Sequence, residues 1–305
     1  MLSPRALITL LLVICAIVNS PAQKLTKKQH YKNGISEKYF VLKSDKSVKH
    51  GQYLRTYNDV WFKDYIIDFG EYSNNQKTGK WYEFYAKDPN NFLRATGEFS
   101  NDKKEGWWQL FYLENSADIA ISLGSQKITA IIEPRKSSDK YNITIDTTRL
   151  KKESEGNYSN GSKTGIWSYF DVDGALIHQY DHSSKKLVAI NYTLSPTAYV
   201  LYLGNGDRFL NYYRAAQQDI QLTNSKPPVI TKPSEVVFEA SDDGTYKQIS
   251  GFGDQQFMAH VTRIVQSIPQ EWVYLDKENP QRVHLVFTAE YPAIPNKPTF
   301  NISLR

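Results

Sequence analysis

Chemistry needs particular side chains within reach of one another, and few residues of this 305-residue chain stand at spacings that provide it. His178 and His182 are four apart, which on a helix would turn two imidazoles towards one metal ion. The residues around them read as strand and turn, where the two rings share a face across a wide gap, so no metal is expected. Asp171-Val172-Asp173-Gly174 opens like a calcium loop, but the remaining oxygen ligands and the closing glutamate are missing. A hairpin turn is the simpler reading. Gly204-Asn205-Gly206 is too short for a dinucleotide fingerprint and follows no clear βαβ pattern. His260 and His284 lie on patterned elements and read as surface or core-edge residues. No G-x-S-x-G, H-E-x-x-H or paired-carboxylate constellation occurs. The sole cysteine, Cys15, sits in an apolar leader, so a processed chain has no thiol for catalysis, disulfides or metal binding. The expectation is a protein with no catalytic residues, no cofactor and no metal. Asn142, Asn157, Asn160, Asn191 and Asn301 stand in N-x-S/T triplets, which matter only in a eukaryotic secretory host.

The strongest signal is structural. Three stretches repeat one another: GEYSNNQKTGKWYEFY from Gly70, GEFSNDKKEGWWQLFY from Gly97 and GNYSNGSKTGIWSYF from Gly156. In each, a second glycine (Gly79, Gly106, Gly165) is followed two residues later by Trp81, Trp108 or Trp167, and three further on by Phe84, Phe111 or Phe170. A Ser-Asn pair and a lysine (Lys77, Lys104, Lys163) lie between the glycines. Each copy reads as a β-hairpin: an aromatic strand, a polar turn, and a return strand opened by glycine. Each buried ring removes ~150–250 Å² from water, so the aromatic ladder should be the main stabilising term. In a regular strand the Trp and the Phe three positions on face opposite sides, which requires either two covered faces or a bulge. The sequence leaves both open.

Around that repeat the chain divides into four parts. Residues 1–22 read as a secretory signal: Arg5, an apolar run Ala6–Val18, and small residues at Ser20-Pro21-Ala22. Thirteen helical residues reach about 20 Å, short of the ~30 Å hydrocarbon core, so cleavage is favoured over anchoring. Residues 23–49 form a basic lead-in. Residues 50–192 carry the repeats, starting with a partial copy at Gly51-Gln52-Tyr53. The long step from Gly106 to Gly165 suggests a worn copy or an inserted hairpin within Leu113–Glu155. Residues 193–305 form a small α+β domain: a helical pattern over Arg208–Ala216, strands at Glu235–Ala240 and Thr245–Ser250, an N-capped helix over Asp254–Ile268, and an alternating strand at Arg282–Glu290. The fold class expected is a mainly β array of antiparallel hairpins followed by two helices on a three-stranded antiparallel sheet. The formal charge of +5 is mild, and no basic run or nucleic-acid motif appears, so nucleic acid is not an expected partner.

The G-x-W/Y-x-x-F/Y core of the repeats resembles the MORN-type repeat in its bacterial variant, over about Gly51–Tyr192. That resemblance implies a scaffold or binding surface. The helix–hairpin–helix–strand order over about Leu203–Tyr291 resembles the C-terminal domain of the energy transducer TonB. Leu203-Gly204-Asn205-Gly206-Asp207 stands where that family leads into its first helix, Asp242-Asp243-Gly244 where it turns its hairpin, and Ile268-Pro269-Gln270-Glu271-Trp272 where its second helix ends. The function expected is an exported, non-enzymatic envelope scaffold, periplasmic after processing. Its partner would be another envelope protein, an outer-membrane protein or a peptide segment, bound by strand addition. Val283, His284, Leu285, Val286 and Phe287 are the candidate edge. The alternatives are a membrane-anchored TonB-like transducer and a glycan-binding or glycan-acting protein.

Overall fold

In the computed structural model the described residues are 23–58, 65–86, 92–113, 150–193, 200–222, 228, 230–240, 245–275, 283–290 and 299–304. The signal stretch, residues 114–149 with their two anticipated strands, and the Asp242-Asp243-Gly244 turn lie outside them. The strands β1 (Leu25–Lys32), β2 (Ile35–Leu42), β3 (Lys49–Tyr57), β4 (Tyr65–Ser73), β5 (Gln76–Phe84) and β6 (Leu93–Ser100) run in sequence. They continue as β7 (Lys103–Phe111), β8 (Lys152–Ser159), β9 (Ser162–Phe170), β10 (Leu176–Asp181) and β11 (Lys186–Ile190). All eleven form one antiparallel sheet in simple chain order. The basic lead-in is itself a hairpin, β1–β2, closed by a tight turn at Asn33-Gly34 with both residues left-handed. β7 and β8 are direct neighbours, with Trp108 opposite Gly156 as Trp81 is opposite Gly97. In the sheet the second copy is thus hydrogen-bonded directly to the third. In the partial copy Tyr53 takes the tryptophan's place, opposite Gly70.

The repeat pattern has a physical reason at each position. Asn74-Asn75, Asn101-Asp102 and Asn160-Gly161 all have positive φ, the two-residue turn whose twist matches that of the flanking strands. The register slips at each opening glycine, so that Gly70 alone faces the stretch Gly79-Lys80-Trp81. The indole folds back over that glycine. A Cβ placed on Gly70, Gly97 or Gly156 would lie 2.2 to 2.5 Å from the ring of Trp81, Trp108 or Trp167. The three tryptophans are wholly buried, and their Nε1 atoms donate to the carbonyls of Glu71, Glu98 and Asn157 at 3.0–3.2 Å. The repeat lysine then covers the ring: Lys77, Lys104 and Lys163 place Nζ 4.1, 3.9 and 4.0 Å from the indole centroids. Edge-on contacts join Tyr53, Tyr72, Trp81, Phe99, Trp108, Tyr158, Trp167 and His182 into one continuous ladder.

The second face is also covered by side chains. Phe84 and Phe111 join Phe40, Leu54, Ile66, Phe69 and Leu93 in a separate apolar cluster. The first sequence alternative therefore holds: the Trp and Phe face opposite sides and belong to different clusters. The irregularity beside Phe84 and Phe111 puts its extra residue, Arg94 or Glu153, on the neighbouring strand rather than between Trp and Phe.

The C-terminal part opens with β12 (Val200–Tyr202) and α1 (Asn205–Leu222). It continues with β13 (Ser234–Ala240), β14 (Tyr246–Phe252), α2 (Gln255–Ser267), β15 (Trp272–Tyr274), β16 (Val283–Glu290) and β17 (Thr299–Leu304). Asp254 caps α2 by accepting from the Gln256 amide, and Phe257, Val261, Ile264 and Val265 form its buried face. The anticipated three-stranded sheet β14–β13–β16 is present, with a further strand, β17, paired along β16. A short ribbon joins β12 to β15. Phe209, Tyr213, Phe257, Val261, Phe238 and Phe287 meet in the core between helices and sheet. No helix among the described residues is long and apolar enough to cross a membrane.

Candidate functional site

The tryptophan face of the repeat sheet is also the face on which the C-terminal part sits. Leu201 and Leu203 are buried in the same cluster as Trp81, Trp108 and Trp167, with Tyr212 and Val273 packed against it. Along that seam lies a chain of buried polar groups. Arg208, in the first turn of α1, is wholly buried. Its Nε donates to Glu153 Oε1 at 2.7 Å, its Nη1 to the Leu203 carbonyl at 2.8 Å, and Nη1 lies 2.7 Å from Glu271 Oε2. Its guanidinium also lies over Tyr169 and Tyr212, each at 4.9 Å. One turn on, Asn211 donates to Tyr85 Oη at 2.7 Å and to Glu153 Oε2 at 2.9 Å, and accepts from the Leu113 amide. Glu271 Oε1 meets Lys163 Nζ at 2.7 Å. His182 Nε2 and Tyr169 Oη are 2.6 Å apart.

Two cations thus face two carboxylates, and the electrostatics follow. Burial pushes the Glu271 carboxyl up, but Arg208 and Lys163 outweigh it and hold it well below the usual carboxylate range. Burial draws the Lys163 ammonium down to about 8 against the pull of Glu271. Burial, with Arg208 adding to it, lowers His178 to about 4, and burial likewise lowers His182 to about 4. Both imidazoles are neutral at pH 7. The Gly204 amide donates to His178 Nδ1 at 3.0 Å, so the ring carries its proton on Nε2 and donates to Tyr192 Oη at 2.8 Å.

Next to this network a cleft of about 560 Å³ opens between the two parts. Tyr158, Lys163, Tyr180 and His182 line it from the sheet, and Gln270, Glu271, Trp272 and Tyr274 from the C-terminal part. A smaller cavity of about 190 Å³ adjoins it, sharing Tyr158, Tyr212 and Pro269, and is lined by Glu83, Arg94, Lys104 and Glu153.

The sequence candidates fall as follows. His178 and His182 are engaged by Tyr192, Gly204 and Tyr169, and no group of three or more metal-ligating side chains occurs among the described residues. Asp171 Oδ1 accepts from the Asp173 and Ala175 amides, which makes Asp171–Gly174 the turn between β9 and β10. Gly204-Asn205-Gly206 leads into α1. His260 lies on α2, and His284 lies on β16 with Nε2 3.5 Å from Glu239. The candidate edge needs correcting. Val283, His284, Leu285, Val286 and Phe287 lie inside the sheet, paired with β13 on one flank, while β17 lies along the other. Their apolar side chains are buried, and at Leu285, Val286 and Phe287 both flanks are paired, while Val283 and His284 pair with β13. Among the described residues the outer strands of that sheet are β14 and β17. The residues of the seam were missed. The available signal was polar: Arg208, Asn211 and Tyr212 at helical spacing beside Phe209, on a face too apolar to hold a charge without partners. No protein-family model matches the chain, and neither curated proteins nor solved structures give a match.

Proposed function

We propose that this chain is an exported, non-enzymatic envelope protein that serves as an interaction scaffold. The repeat sheet is its rigid platform, and the C-terminal domain offers a strand edge to a protein or peptide partner. The observation that carries the reading is β14. Among the described residues it pairs with β13 alone, and all of its residues after Tyr246 are exposed, including Ile249 and Phe252. An open edge of this kind is a template for a further strand. The leader of residues 1–22 supports export. The repeat motif and the helix–hairpin–helix–strand order support MORN-like and TonB-like kinship. With the second comes the alternative of an anchored energy transducer, which a mature N-terminus near Gln23 in mass spectrometry would eliminate. A glycan-cleaving reading needs two carboxylates opening on one cleft. Glu83 and Glu153 do line the smaller cavity, but each is held in an ion pair, with Lys104 and Arg208, and Glu271 in the larger cleft is held by Arg208 and Lys163.

The test is a pull-down from envelope extract with the full mature chain and with an Ile249→Lys/Phe252→Lys variant. A charged edge disfavours strand pairing while leaving the exposed positions compatible with the fold. A specific partner is expected with the parent and not with the variant, at unchanged melting temperature. Equal capture by both would remove β14 from the proposal.

A further inference from the structure

We infer that the cleft between the repeat sheet and the segment Pro269–Tyr274 binds a neutral, hydroxyl-rich ring, namely a sugar unit of an oligosaccharide. The inference stands apart from the β14 reading, since the cleft and that edge share no residue. Three features carry it. The first is shape: about 560 Å³ lies in the range of small-molecule sites, and the cleft forms where two parts of the chain meet. The second is the walls. Tyr158 and Tyr180 line the sheet side and Trp272 and Tyr274 the other, all half-buried. Aromatic walls of this kind suit the apolar C–H faces of a pyranose, which stack on a ring as other flat apolar surfaces do. The third is the polar floor. Lys163 and Glu271 bring a donor and an acceptor 2.7 Å apart, and the Ser162 hydroxyl offers both roles. A hydroxyl group, donor and acceptor at once, satisfies such a mixed floor without moving a charge.

The same chemistry argues against the other ligand classes. A phosphate or carboxylate would need a positive floor; Lys163 is already paired with Glu271, and the other lysine of the lining, Lys185, is exposed, so an anion would meet one solvent-screened charge. A purely apolar ligand would strip water from buried charged groups and return no hydrogen bonds, a cost of several kcal/mol per group in a dry site. The cleft also differs from the bare platform at the earlier copies. Lys77 and Lys104 cover their tryptophans just as Lys163 does, but only Lys163 is paired with a carboxylate from the C-terminal part.

The experiment is isothermal calorimetry and a thermal-shift assay on the full mature chain, with chitotriose, cellotriose, maltotriose and xylotriose as neutral probes. Inorganic phosphate and indole serve as anionic and apolar probes. At least one trisaccharide is expected to bind at or below about 1 mM and to raise the melting temperature, because a ligand of the folded state stabilises it by mass action. Tyr180→Ala should weaken that binding about tenfold or more, and Tyr180→Phe, which keeps the ring, should restore it. Tyr180→Phe should melt as the parent does without ligand, and Tyr180→Ala, which gives up a ring packed against the tryptophan cluster and His182, is read below its own melting temperature, where it is folded. Gln270→Ala gives a second reading at another lining position. The inference is overturned if no trisaccharide binds at about 10 mM, if phosphate or indole binds more tightly than all four, or if binding is unchanged in both Tyr180→Ala and Gln270→Ala.

Discussion

Gly97 and Gly106 are glycines for different reasons, and the difference is measurable. At Gly97 the backbone is ordinary, but a methyl group would meet the Trp108 ring at 2.2 Å. At Gly106 nothing lies within 4 Å of such a methyl, but φ is +65°. Gly97→Ala must therefore displace a wholly buried indole, an overpacking cost of about 1–3 kcal/mol or more. Gly106→Ala carries only the left-handed penalty of about 1–2 kcal/mol, which Gly106→Asn should largely relieve. Urea titrations of the three variants check the order. The buried histidines give a second residue-scale prediction. His178 and His182 have folded values of about 4 against an ordinary 6.5. As pH falls the unfolded chain takes up their protons first, so stability is full above about 6.5 and declines from there to about 4. Denaturant midpoints at pH 7.5 and pH 5 should differ, and a His178→Gln/His182→Gln variant should lose most of that difference. Glu271, whose folded value is depressed, adds acid sensitivity only below the ordinary carboxylate range.

Each hairpin turn is a joint between elements as well as a reversal of the chain. Asp102 Oδ1 accepts from the Lys77 amide at 2.7 Å while its own amide donates to the Lys77 carbonyl. Asn75 makes the same pair of bonds with Lys49 one copy earlier. The turn therefore stitches its hairpin to the preceding one. Asp102→Asn should be close to neutral, since asparagine already fills the role at position 75. Asp102→Gly keeps the backbone angle but loses the side-chain acceptor, at about 1 kcal/mol. Asn101→Ala with Asp102→Ala places two ordinary residues at left-handed angles and should cost about 2–4 kcal/mol. Thermal melts of the series distinguish the turn's conformational role from its stitching role. The tyrosines after the first two repeat phenylalanines work similarly, with Tyr85 donating to the Phe111 carbonyl and Tyr112 to the Phe170 carbonyl.

At the scale of the molecule, the seam makes one cooperative body of two parts. Buried apolar groups from Leu201, Leu203 and Tyr212 complete the tryptophan cluster, and Arg208 ties α1 to Glu153 on the sheet. Removing one member of a buried ion pair strands the other, at about 3–5 kcal/mol. Calorimetry of the parent should show a single endotherm. Arg208→Ala should lower its midpoint and separate it into two, because the seam is weakened while each core stays intact. One unsplit transition at the parent's midpoint in that variant would show that the seam contributes little.

The hairpin array was legible in the sequence because its causes are local. Turn asparagines, glycines at fixed offsets and a Trp–Phe spacing act within one copy, and each copy repeats them. Two helices and three strands of the C-terminal part were legible too, through Asp254 as a cap, apolar spacing along α2 and alternation along β16, whereas α1 runs beyond Arg208–Ala216 at both ends and β12, β15 and β17 were not read. Which strand would be an edge was not. Val283–Phe287 has the composition of any half-buried strand, and only the arrival of Thr299–Leu304 beside it decided that its flank is filled. The seam was equally hidden. Glu153, Lys163, Arg208 and Glu271 are scattered over more than a hundred residues of sequence, and each alone reads as a solvated surface charge. Long-range pairing and desolvation are properties of two surfaces brought together, so the buried network and the cleft beside it exist only once the C-terminal part has settled on the tryptophan ladder.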